Sequence, residues 1–111
     1  MYAVKPDLEK INGVKVKTLR GKFGNGDAEL RAQVGATGFR EDPAQDTDVR
    51  GLVDIYSMRG DFCFRPVVDD NSNVVGIRIL AGSNDALMSL MEALTFAASV
   101  GLRQCMDRSD F

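Results

Sequence analysis

Ser83-Asn84-Asp85-Ala86-Leu87-Met88-Ser89-Leu90-Met91-Glu92-Ala93-Leu94-Thr95-Phe96-Ala97-Ala98-Ser99-Val100-Gly101 is the stretch on which the fold turns. It opens with an N-cap signal and a first-turn acid, Asp85, and it closes on Gly101, a stop signal. Between them Leu87, Met91, Leu94 and Ala98 recur at four and three residues, the spacing of one helical face. Met88, Leu90, Ala93, Phe96, Ala97 and Val100 make most of the remaining surface apolar as well, leaving a narrow polar stripe. A helix apolar on nearly every side cannot be hidden by one sheet alone. Ser89, Glu92, Thr95 and Ser99 interrupt the apolar region, which falls short of the ~20 residues needed to cross a bilayer, so no membrane span is expected.

Upstream, three apolar runs at residues 52–58, 62–68 and 74–81 are separated by Arg59-Gly60-Asp61 and by Asp69-Asp70-Asn71-Ser72-Asn73, both rich in turn formers. They predict a meander. A two-residue turn at Gly60-Asp61 sets Tyr56 opposite Arg65, and a five-residue second loop sets Ile77 opposite Arg65. Pro66 and Gly76 then predict a bulge or bend. Residues 38–51 are polar and acidic, with Glu41, Asp42, Asp46 and Asp48, and read as a surface loop. Residues 14–23 and 28–36 flank Gly24-Asn25-Gly26-Asp27 as a hairpin. Before them, Pro6 and Gly13 suit a short helix, while Asn12-Gly13 suits a hairpin; the short helix is the preferred expectation.

The expected fold is therefore α+β: an antiparallel meander of about five strands against one C-terminal helix, with residues 102–111 as a tail. The 111 residues suit a single domain. Apolar residues at 44% and charged residues at 27% describe a folding chain, and a net charge of −2 with a pI near 5.0 argues against a partner held by bulk attraction to phosphate. The first residues, Met1 to Pro6, lack the charged and apolar segments of a signal peptide, which predicts a cytoplasmic protein. Cys63 and Cys105 then read as a reduced pair of thiols.

There is no histidine, which removes Ser-His-Asp and Cys-His nucleophiles and histidine metal sites. Asp69-x-Asn71-x-Asn73 begins like a calcium loop, but Val74 and Leu80 stand where Gly and Glu are needed. Asp42, Asp46 and Asp48 could gather a hard cation, but spacing this loose suits a solvated acidic loop better. Gly21-Lys22-Phe23-Gly24-Asn25-Gly26 lacks the Gly-Lys-Ser/Thr ending of a phosphate loop, and Arg59-Gly60-Asp61 is a turn. Neither a cofactor nor a metal is expected.

Three candidate sites remain. In the meander register Asp54, Tyr56, Cys63 and Arg65 share one sheet face, either as a polar cluster of a ligand pocket or as an Asp54–Arg65 ion pair. Lys10, Lys15, Lys17, Arg20 and Lys22 form a run without an acid; Lys15, Lys17, Arg20, Lys22 and Phe23 together suit single-stranded nucleic acid, and equally a solvated strand face. Met88, Met91 and Phe96 are the expected oligomer interface, because the apolar surface exceeds what two layers cover.

The order of strands followed by a helix resembles the small dimeric transcription-coactivator and Whirly-type proteins, whose curved sheets bind single-stranded nucleic acid. Residues 51–102 are similar in element order to a cyanobacterial photosystem II assembly factor. Both likenesses are of topology, carried by no motif residues, and assign no family. The leading expectation is a non-enzymatic interaction module acting as a homo-oligomer, a dimer first, with an unidentified protein partner. The alternatives are a small-ligand pocket between sheet and helix, and nucleic-acid binding along residues 15–22.

Overall fold

The computed structural model describes residues 4–11, 14–36 and 51–106. In chain order they form β1 (Val4–Ile11), β2 (Val14–Asn25), β3 (Ala28–Ala36), β4 (Gly51–Arg59), β5 (Phe62–Val68), β6 (Val74–Ala81) and α1 (Asn84–Met106). The first four strands make one antiparallel sheet in sequence order, while β5 and β6 pair only with each other. The class is α+β with antiparallel pairing, but the expected five-strand meander is replaced by a sheet of four and a ribbon of two. The acidic loop expected at residues 38–51 lies outside the described residues except for Gly51, which begins β4.

The opening segment is a strand, not a short helix. β1 runs against β2 from Val4 opposite Gly21 to Ile11 opposite Val14, the pairing that a two-residue hairpin connection requires. Pro6 falls on an edge strand, where a missing N–H is tolerated. β2 then continues through Asn25, so only Gly26 and Asp27 form the next turn. Gly26 supplies the left-handed backbone that this turn needs, at φ 56°.

The meander breaks at Gly60, whose φ of 108° is open only to glycine without strain. The Phe62 N–H closes back onto the Gly60 carbonyl at 3.2 Å. This tight reversal turns the ribbon out of the sheet and delivers Phe62 to the core. Within the ribbon a bulge between Val67 and Val68 leaves Val75 without a partner. That one residue shifts the register, so Arg65 faces Arg78 instead of the expected Ile77. The bulge lies beside Pro66 and Gly76, the positions that predicted it.

Ser83 caps the helix, its Oγ accepting the Ala86 N–H at 3.1 Å. Gly101 does not stop it: α1 continues to Met106, so residues 102–106 are helical rather than tail. Tertiary contact outweighs the ~1 kcal/mol helix penalty of glycine, since a Cβ at Gly101 would sit 3.4 Å from Val34 and one turn later Gln104 accepts the Ala36 N–H at 2.7 Å. At the other end Asn25 donates to Ser89 and to Glu92, fastening the β2–β3 turn to the helix.

The helix packs over β3 and β2. Phe23, Leu30 and Ala32 meet Leu90 and Ala93 there, joined by Ile55, Phe62, Ile79 and Phe96. The buried helix residues are Ala86, Ser89, Leu90, Ala93, Ala97 and Val100. This is not the stripe that the spacing of Leu87, Met91, Leu94 and Ala98 predicted. Both stripes have helical periodicity, and the one with the smaller side chains faces the sheet, where small residues let the backbones approach closely.

Candidate functional site

The larger residues of the helix point outward as a consequence. At about 100° per residue, Met88, Met91, Thr95, Ala98 and Leu102 lie opposite the buried stripe, at spacings of three and four. Met88 is 56% exposed, Met91 47% and Leu102 67%, in a helix whose only charged residues are Asp85, Glu92 and Arg103. Phe96, expected beside Met88 and Met91, instead turns inward and packs on Phe23 with ring centroids 5.2 Å apart. By length and composition alone α1 is apolar enough to cross a bilayer, while 33% of its most apolar stretch is buried inside the protein.

One helix about 10 Å wide covers about two strands spaced ~4.8 Å apart, so a sheet of four keeps both flanks open. On the β1 side a groove of about 520 Å³ runs along the helix, floored by Val4, Leu19, Phe23 and Phe96 and edged by Glu92 and Arg103. On the β4 side a second, of about 340 Å³, is lined by Val34, Leu52, Val53 and Cys105. Leu87 and Leu94 remain exposed on the helix, and Val68, Val74, Val75 and Ile77 remain exposed on the ribbon.

The sheet face turned away from the helix is polar and partly buried. Gln33 is its hub: its amide donates to Thr18 Oγ1 at 2.9 Å and to Glu9 Oε1 at 3.0 Å, and its carbonyl accepts from the Tyr56 hydroxyl at 3.0 Å. One side chain thus ties β1, β2, β3 and β4 together. Val16, Thr18 and Gln33 are all buried on this face. Strand alternation gave no sign of it, because Gln33 and Thr18 read as outward polar positions; across the hairpin they stand opposite Arg20 and Gly35 respectively.

The expected polar cluster is divided. Asp54 and Tyr56 lie on β4, whereas Cys63 and Arg65 lie on the separate ribbon, because β4 and β5 share no ladder. Asp54 and Arg65 are not among the ion pairs of the described residues. Arg65 instead donates through Nε to the Cys63 Sγ at 3.3 Å. The basic run is divided too: Lys15 and Lys17 alternate to the helix side of β2, Arg20 and Lys22 to the reverse side, and Phe23 is in the core.

Asp69, the first residue of the rejected calcium motif, accepts the Asn73 and Asn71 N–H groups at 3.0 and 2.8 Å. These bonds, that from Asn73 foremost, hold its carboxyl below the usual carboxylate range. Among the described residues no group of three or more Cys, Asp or Glu is placed to hold a metal. Cys63 and Cys105 are separate thiols. The chain matches no protein-family model, no curated protein and no solved structure.

Proposed function

We propose that this protein is a non-enzymatic interaction module that works as a homodimer, built by packing the outer stripe of α1 against the same stripe of a second copy. The observation carrying this reading is the inverted helix: small residues face its own sheet, and Met88, Met91 and Leu102 face outward. Spacings of three and four along the outer stripe suit a helix–helix seam, and Ala98 near its middle permits close approach.

The charges favour an antiparallel pair. Glu92 and Arg103 lie on the same side of the helix, eleven positions apart, along the rim of the β1-side groove. A two-fold axis between them sets Glu92 beside the partner's Arg103, and the opposed helix dipoles also attract. A parallel pair makes neither match.

Light scattering on the full chain tests the reading. The wild type is expected as a dimer at micromolar concentration, and Met91→Glu with Ala98→Glu is expected as a folded monomer. Glu92→Lys should weaken the dimer, and adding Arg103→Glu should restore it. A wild type that stays monomeric at high micromolar concentration overturns it.

A second reading has its own observation. The β1-side groove, at about 520 Å³, is within the size range of small-ligand pockets and is lined by both sheet and helix. An apolar ligand there would protect Phe23 and Phe96 signals without changing the mass of the particle.

A further inference from the structure

On the face of the sheet away from α1, we infer a binding site for a compact phosphate-type oxyanion, formed by Lys5, Arg20, Lys22 and Arg31. This face is separate from the helix interface. Lys5 stands directly opposite Arg20, and Lys22 directly opposite Arg31. Two like-charged cross-strand pairs side by side are unfavourable in a sheet unless an anion sits among them. The four side chains surround a concavity of about 160 Å³, to which Gly21 contributes backbone.

The neighbouring carboxylates leave this charge only partly answered. Asp7 lies 3.3 Å from Arg20. Glu29 gives its short contact, 2.8 Å, to Arg59 and lies 3.9 Å from Arg31 Nε. Arg31 Nε is a buried donor without a hydrogen-bond partner among the described residues, so the rest of its guanidinium charge is left to the concavity that Arg31 lines. Lys5 and Lys22 have no ion pair among the described residues.

The size and surroundings select the ligand class. The concavity is well below the ~300–1,000 Å³ of pockets for drug-sized molecules. The cations line one concavity, and Asp7, Glu9, Glu29 and Asp54 share the face. An extended polyanion would run past all of those carboxylates, whereas a phosphate or diphosphate group of a small molecule sits among the cations, with Asp7 and Glu29 beside them.

Inorganic pyrophosphate titrated calorimetrically into the full chain at low ionic strength is the test. One saturable site per chain is expected, weakening as salt rises. Lys22→Gln and Arg31→Gln should each weaken it by about tenfold or more, the loss of a charge-assisted hydrogen bond. Lys17→Gln, on the same strand but the other face, should leave it unchanged, with circular dichroism verifying that each variant is folded. Because Arg31 is partly buried, Lys22→Gln and Lys5→Gln carry the test if Arg31→Gln unfolds. The inference is overturned by an absence of saturable binding, by equal losses in Lys17→Gln and Lys22→Gln, or by a thymidine homopolymer binding this face in preference to pyrophosphate.

Discussion

Toward the helix, the four-stranded sheet presents Phe23, Leu30, Ala32 and Val34; toward the reverse, the same strands present Val16, Thr18 and Gln33, and all seven are buried. The helix side is closed by apolar packing against Leu90, Ala93 and Ala97. The reverse is closed around a hydrogen-bonded amide that joins four strands, with paired cations beside it. Apolar packing tolerates exchange among shapes of similar volume, whereas a buried polar hub is worth little unless every partner is met. The two faces therefore suit different tasks: one supplies stability, and the other holds charges in fixed places.

Denaturant titrations of variants on each side test this contrast. The largest effect is expected from Leu30→Ala, which empties a fully buried position against the helix and should cost about 2–5 kcal/mol. Gln33→Leu keeps the volume but leaves Thr18, Glu9 and Tyr56 without their shared partner, for an expected loss of about 1–3 kcal/mol. A neutral or stabilising Gln33→Leu would mean that the reverse face is ordinary core. Asp7→Asn removes a half-exposed partner of Arg20 and should change stability by no more than about 1 kcal/mol. The same variant should tighten pyrophosphate binding, since Arg20 is then unshared.

The smallest effect lies outside both faces, in the turn between β5 and β6. The Asp69 carboxylate is favoured by the N–H groups of Asn73 and Asn71, so its pKa is lowered on folding. A lowered carboxyl pKa gives a contribution present above the unfolded value and lost as pH falls through the folded one. The protection of the Asn71 and Asn73 amides, taken relative to the intrinsic exchange rate at each pH, should therefore fall in acid, while the sheet amides keep theirs. Asp69→Asn should remove that pH dependence.

Much of the architecture is legible because it rests on local chemistry. The Ser83 cap, the helical period after it, Gly26, and the turn formers at residues 69–73 act over a few residues, and each leaves its mark in the chain. Sequence and structure part where two local signals compete. Pro6 and Asn12-Gly13 supported both a helix and a hairpin, and β2 decided between them by offering a strand to pair with. Met88 and Met91 lie on the surface and Phe96 does not, and nothing in the spacing of the three tells inward from outward.

By itself, the sequence determined the α+β class, the order of strands before a terminal helix, and the surplus of apolar surface on that helix, all of which follow from composition and periodicity. Packing in three dimensions set which helical stripe meets the sheet, that β5 and β6 leave it at Gly60, and that Lys5, Arg20, Lys22 and Arg31 line one concavity. These depend on register and on which side chains are small enough for close approach. A shift of one residue exchanges the faces of a strand, and no neighbour along the chain reports it.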